Sequence, residues 1–246
     1  MVFDYRYIFY VIFGILPSLV WLFYYLSKDL HPEPKRMILK IFLWGTLVTV
    51  PVFFVQVGLK ILLENADFNP LMTSIIYWFL IIALSEEIFK YLVVRTKVLN
   101  NSCMDEPMDI MIYMVVAALG FAALENILYL FAPVDQLTLN DLLGRTMLLS
   151  FTRFIGATFL HTLCSAVIGY SVAISCKDQK NKYLEVMFGI ITAVGLHGLY
   201  NFSIMMLEGD LQYALPVVTL IILAIFAFWG FERLKKEKSV TILNEN

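Results

Sequence analysis

Long apolar runs, separated by short polar breaks, follow one another from end to end of the chain. A helix that crosses a bilayer needs about 20 predominantly apolar residues. Seven runs reach that length, at 5–26, 37–62, 71–96, 108–131, 147–175, 183–206 and 212–234. Helix-terminating residues mark the breaks: Pro32 and Pro34 in the first, Asn69-Pro70 in the second, Pro107 in the third and Pro133 in the fourth. Pro51 and Pro216 fall within or at the start of runs, where neighbouring helices can re-satisfy the backbone groups a proline frees. The pattern predicts an all-α, polytopic membrane helical bundle of about seven transmembrane helices. Residues 1–246 show no internal repeat, low-complexity tract or composition shift, and read as a single integral-membrane domain.

The breaks also carry a sign. Lys28, Lys35 and Arg36 lie in the first, Arg95 and Lys97 flank the third, Lys177, Lys180 and Lys182 fill the fifth, and Arg233, Lys235, Lys236 and Lys238 crowd the tail. The alternate breaks hold Glu64 and Asp67, then Asp135 and Asp141, then Glu208 and Asp210. Only Lys60 and Arg145, at helix ends, depart from this alternation. Basic loops stay in the cytoplasm, so the N-terminus is expected outside and the C-terminus inside. The first run, Tyr7 to Leu26, has no small-residue cleavage site and reads as a span, not a signal peptide. The outside loops are short, so no large sensor domain is expected on this chain.

Composition agrees: 60% of the 246 residues are hydrophobic, 15% are charged, and mean hydropathy is +0.78. The chain is expected in the cell membrane as a multi-pass protein whose constant partner is the lipid bilayer. A net charge of -2 with no basic stripe excludes nucleic acid as a partner. Three cysteines (Cys103, Cys164 and Cys176) make neither a disulfide framework nor a zinc ribbon, and read as small apolar packers. The four tryptophans (Trp21, Trp44, Trp78 and Trp229) read as interfacial and lipid-facing.

Against this background, four segments stand out: Ser85-Glu86-Glu87-Ile88-Phe89-Lys90, Phe121-Ala122-Ala123-Leu124-Glu125-Asn126, His161-Thr162-Leu163-Cys164-Ser165 and His197-Gly198-Leu199-Tyr200-Asn201. A charged side chain near the bilayer centre costs about 2.5–3.5 kcal/mol on insertion scales, so such groups face one another and mark function. Lys90 is i+4 from Glu86 and i+3 from Glu87 and can reach either. A self-neutralising ion pair explains one carboxylate and leaves the other over, as a general base or a metal ligand. Glu125 alone also suits a protonated structural group, and either histidine alone a satisfied core residue. His161 with Ser165, and His197 with Asn201, each share a helical face at i+4. Gly120, Ala122 and Ala123 permit close approach of a neighbour, and Gly195 and Gly198 thin the helix around His197. Glu86 lies about 15 residues from one end of its span, Glu125 about 17 from the other, and His161 and His197 about 14 from their starts. All four fall near mid-membrane. Arg153, two turns before His161, suits either a partner for Glu125 or a snorkelling interface residue.

Taken together, the motifs EExxK (Glu86, Glu87, Lys90), FxxxEN (Phe121, Glu125, Asn126), HxxxS (His161, Ser165) and HxxxN (His197, Asn201) resemble the PrsW family of intramembrane proteases. That family is related to the CAAX-type prenyl endopeptidases and bacteriocin-processing membrane proteins. The first linker, His31-Pro32-Glu33-Pro34-Lys35-Arg36, is similar to that family's EPEP-type turn. Lys90 stands where CAAX-type relatives carry an arginine one residue later, and Glu125 where they carry a histidine; both departures match the PrsW branch. The resemblance implies an endopeptidase that hydrolyses a peptide bond of a membrane-anchored protein, such as the first cut in a single-pass anti-sigma factor. The residues expected to carry the reaction are Glu86, Glu87, Lys90, Glu125, His161, His197 and Asn201.

Two schemes use them. In one, His161, His197 and Glu86 hold Zn2+ and a second glutamate is the base. In the other, which needs no metal, Glu86 polarises water aided by His161, while His197 and Asn201 hydrogen-bond the oxyanion. A helical HExxH is missing, so spacing does not decide between them. A nucleophilic Ser165 or Cys164 on the His161 helix has poor attack geometry and leaves the carboxylates unexplained. A non-catalytic membrane scaffold and a proton-coupled transporter are the competing readings; the chain lacks the inverted repeats of the latter.

The orientation is directly testable. A fluorescent-protein fusion after Asn246 is expected to fluoresce in cells, and a periplasm-type phosphatase fused there to be inactive; the reverse pattern overturns the topology.

Overall fold

The computed structural model describes residues 6–28, 33–99, 106–131, 139–176 and 181–236. Seven of its helices are long and apolar enough to span a membrane: α1 (Arg6–Leu26), α2 (Lys35–Glu64), α3 (Pro70–Lys97), α4 (Pro107–Leu130), α5 (Asp141–Ser175), α6 (Lys182–Met206) and α7 (Leu211–Lys235). The helix that leads into α5 extends back to Leu139, ahead of the apolar run expected from 147, and its Leu142 packs against Tyr10 and Leu130. Pro17, Pro51 and Pro216 all lie inside continuous helices. Cys103, His31, Pro32, Pro133, Asp135, Lys177, Lys180 and Lys238 lie outside the described residues.

Local chemistry sets the starts. The side chain of Asn69 accepts from the Met72 N–H at 2.9 Å and Pro70 occupies the first turn of α3, where its missing N–H costs nothing. Glu106 and Asp109 form a reciprocal capping box at α4, again with Pro107 in the first turn. Gly209, at φ 67°, makes the turn between α6 and α7, a conformation with no steric cost only for glycine.

The centre is α4. Four-fifths of its apolar window is buried inside the protein, whereas most residues of α1, α2 and α7 face outward. A helix that is apolar all round belongs in a core. Lipid is as apolar as leucine, so packing must draw on close backbone approach. Gly45 of α2 seats against the backbone of Ala117, and Gly120 of α4 against the carbonyl of Phe42. The Thr46 hydroxyl donates to the Gly120 carbonyl at 3.0 Å across the same contact. This is the close approach expected of Gly120. Glu33, from the first linker, is buried and accepts a hydrogen bond from Tyr113, which fixes the entry of α2 against α4.

Two helices are not α-helical throughout. Ile76–Ala83 of α3 and Phe154–Thr158 of α5 form π-helical turns, and both lie just ahead of the ionisable residues. The sequence carried no sign of them. Trp21, half-buried, stacks on Phe159 with ring centroids 4.4 Å apart and donates its indole N–H to the carbonyl of Phe154 at 3.0 Å. It thus satisfies a backbone group at the irregular turn.

A side chain at Gly120 is expected to force α2 and α4 apart. Gly120→Ala should lower stability by about 1–3 kcal/mol, read from unfolding in mixed micelles, while Gly58→Ala, which meets open space, should not.

Candidate active site

Five helices contribute side chains to one polar cluster. The two glutamates of α3 diverge, as adjacent helical residues must. Glu87 is fully buried and turns inward: its Oε1 accepts from Lys90 Nζ at 2.6 Å and from His197 Nδ1 at 2.8 Å. Glu86 turns toward the cavity. Its Oε1 accepts from the Gln56 amide of α2 at 3.1 Å. Its Oε2, buried, has no hydrogen-bond partner. It lies 3.8 Å from His161 Nδ1 and 3.7 Å from His197 Nε2.

Lys90 is fully buried with its Nζ 3.1 Å from His161 Nδ1 and 5.2 Å from the centre of the Phe121 ring. On the opposite side, His161 Nε2 lies 2.9 Å from Glu125 Oε2, and the same oxygen accepts from Arg153 at 2.6 Å. Arg153 also donates to Asn126 and stacks 3.9 Å over the Tyr129 ring. Of the two positions open to Arg153, the structure therefore has it paired with Glu125. Asn126 ties this corner to α1 and α5, donating to the Gly14 carbonyl at 3.3 Å and to Thr158 at 3.0 Å.

These partners dictate tautomers. An ammonium only donates, so His161 Nδ1 accepts from Lys90 and carries its proton on Nε2, toward Glu125. A carboxylate only accepts, so His197 donates from Nδ1 to Glu87 and, as the neutral imidazole, presents a bare Nε2 toward Glu86. The two imidazoles, 5.1 Å apart and nearly perpendicular, hold opposite tautomers.

A cavity of about 360 Å³ opens onto the cluster. Glu86, Glu125, Arg153, His161, His197 and Asn201 all line it, with Phe53, Tyr77, Trp78 and Phe121 as apolar walls. His197 and Asn201 share the cavity face as their spacing predicts. Ser165 does not join them: it is fully buried away from the cavity, and its hydroxyl has no partner. The i+4 spacing to His161 brings no contact, because Lys90 and Glu125 already occupy both ring nitrogens. Cys164 is buried beside Glu87 and His197.

Gln56 is the residue that sequence reasoning missed. It is the lone amide in the apolar stretch of α2 around it, which was the available signal. Its amide donates to Glu86 and, at 3.2 Å, to Ser85, whose hydroxyl in turn donates to the Ile81 carbonyl at 2.5 Å in the π-helical turn.

Glu86, His161 and His197 also pass the test of a metal set. One donor atom from each lies within 4.8 Å of the others, all three residues are buried, and the orphaned Glu86 Oε2 faces both rings. Two imidazoles and a carboxylate are an established zinc ligand set.

A bundle of spanning helices that gathers carboxylates and imidazoles around a membrane-level cavity is the architecture of an intramembrane hydrolase. The comparisons agree. Residues 33–229 match the family model described as PrsW family intramembrane metalloprotease, and the chain belongs to this family. Proteins named Protease PrsW are 29% identical in Oceanobacillus iheyensis, 28% in Bacillus subtilis and 27% in Clostridioides difficile. These alignments cover 94%, 94% and 92% of this chain and 97%, 96% and 89% of the relatives. No solved structure matches. The protein is thus a multi-pass intramembrane protease that acts on a membrane-associated protein.

Removing one partner of the Arg153–Glu125 pair leaves a charge stranded among apolar walls. Arg153→Met is expected to cost roughly 3 kcal/mol, and the double variant Arg153→Met/Glu125→Gln less than Arg153→Met alone. Additive losses in unfolding titrations would mean the two side chains are not coupled.

Proposed function

We propose that Glu86 is the general base of peptide hydrolysis, and that the substrate is a single-pass membrane-anchored protein, such as an anti-sigma factor. The observation that carries this is the unpartnered Glu86 Oε2 facing the bare Nε2 of His197 at 3.7 Å. Both atoms accept hydrogen bonds, so what can bridge them, from one side of the line that joins them, is a group with two protons to donate, and water is that group.

Glu86 takes one proton from this water as its oxygen attacks the scissile carbonyl carbon. Gln56 holds the other carboxylate oxygen, which keeps Oε2 aimed at the water. His197 accepts the second hydrogen bond and orients the nucleophile. This differs from the sequence-based scheme, in which His161 aided the base. Lys90 occupies Nδ1 of His161, whereas Nε2 of His197 is bare. Asn201, on the cavity wall, is positioned to donate to the developing oxyanion. The proton on Glu86 then passes to the leaving amine. Glu87 and Lys90 are positioning residues that set the two imidazole tautomers, and Glu125 with Arg153 anchors His161 from behind.

Glu86, His161 and His197 would hold zinc, and with the ion there Glu86 would serve as its ligand and a second glutamate as the base. Bound there, the ion would acidify its water and polarise the scissile carbonyl. The aromatic walls favour an apolar substrate segment, and the polar floor supplies partners for a backbone that must leave its helix to be cut.

The test is a membrane-proteome comparison between cells carrying the native chain and cells carrying Glu86→Gln, with matched levels of folded protein. A single-pass protein is expected to accumulate uncut in the variant, its new terminus missing. An unchanged membrane proteome, with the variant folded and abundant, would refute the assignment of Glu86.

A further inference from the structure

The nitrogen of His161 that a metal ion would need is already taken. His161 Nδ1 is the atom that faces Glu86 Oε2, at 3.8 Å, and it is also the atom 3.1 Å from Lys90 Nζ. The ring cannot offer its other nitrogen instead. Nε2 is bound to Glu125 at 2.9 Å, and Arg153 holds Glu125 in turn. Nor has Lys90 solvent to retreat into: it is fully buried, between Glu87, His161 and the face of Phe121. The charges point the same way. Glu87 is matched by Lys90 and Glu125 by Arg153, so the ionised cluster carries one uncompensated carboxylate, Glu86. A dication bound beside an undisplaced ammonium would meet like charge at short range in a medium that screens it poorly.

We propose that Lys90 competes with a divalent metal ion for His161 Nδ1, so that metal enters the Glu86–His161–His197 set only when the ammonium gives up that hydrogen bond. Lys90 is in this view a resident cation that keeps the apo site folded and sets its metal affinity. Glu87 works with it. Neutralised by Lys90, Glu87 is a weaker acceptor for His197 Nδ1; freed of Lys90, it would draw that proton harder and make Nε2 a better ligand, as carboxylates behind metal-bound histidines do. The inference rests on the reading that Glu86, His161 and His197 surround the reaction centre, but its test needs no substrate.

The experiment is a titration of the purified full-length chain in detergent micelles with Co2+, followed by its visible absorption, with Zn2+ as competitor. Lys90→Met is expected to bind Co2+ about 10–100-fold more tightly than the native chain, the range over which groups behind a metal ligand act. Lys90→Arg, which keeps the charge, should stay within a few-fold of native. Adding His161→Ala to Lys90→Met should abolish the gain, because the gain runs through Nδ1. Should Lys90→Met fold poorly with Glu87 left unpaired, the double variant Lys90→Met/Glu87→Gln removes both charges together, and it too should bind Co2+ more tightly than native. Affinity unchanged or weakened in the folded lysine variants, or a gain that survives loss of His161, overturns the proposal. Either result leaves the Glu86→Gln proteome comparison free to stand or fall by itself.

Discussion

The constraint on which the molecule depends is the cost of an ionised group inside an apolar bundle, which leaves a single carboxylate, Glu86, without a cation of its own. An unpaired charge in such surroundings costs several kcal/mol, a large share of a protein's marginal stability. Glu87 and Glu125 are therefore each bound to a cation, one from its own helix and one from α5. The pairings do more than neutralise. Lys90 reaches from α3 to the imidazole of α5, Glu87 from α3 to that of α6, and Gln56 from α2 to the cavity-facing carboxylate. The same bonds that make the charges tolerable join four helices at one depth and decide which ring nitrogens are left bare.

Around this polar centre the bundle is held by contacts of a different kind. Glycines let α2 and α4 touch backbone to backbone, and α4 is buried over four-fifths of its apolar window. The irregular turns sit where these two systems meet. Ser85 and Trp21 bond to carbonyls in or beside the π-helical turns, so backbone that α-helical bonding leaves less well served does not face lipid unsatisfied.

Much of this was legible from the chain alone. Seven spans follow from run length, and the four motif segments follow from ionisable residues in apolar company, a contrast that is strongest in a membrane protein. Their convergence was an inference from depth, and the structure places Glu86, Glu87, Lys90, Glu125, His161 and His197 in one cluster. What could not be read was anything set by direction. Spacing allowed Lys90 to reach either glutamate; packing selects Glu87. Spacing put Ser165 one turn from His161, yet both ring nitrogens turn to other helices. Nothing in the spacing of Trp21 announced its stacking on Phe159. The π-helical turns left no mark because a one-residue change in winding alters no residue type.

That winding has a consequence for how the chain can vary. Arg153 and His161 both grip Glu125, one from each side of the Phe154–Thr158 turn. The number of residues between them works as a vernier. Losing a single residue there would let the turn relax to ordinary α-helix with the two grips still in register, whereas any other change of count would swing one grip about 100° per residue around the helix from the other. The segment is therefore held in length to within that one residue, and in side chain at Thr158, which accepts from Asn126, and at Gly156, where a side chain would meet Tyr200. Insertions and deletions in such a protein belong in its loops, and a chain whose count between these two residues differs by more than that one would have to build its site from other partners.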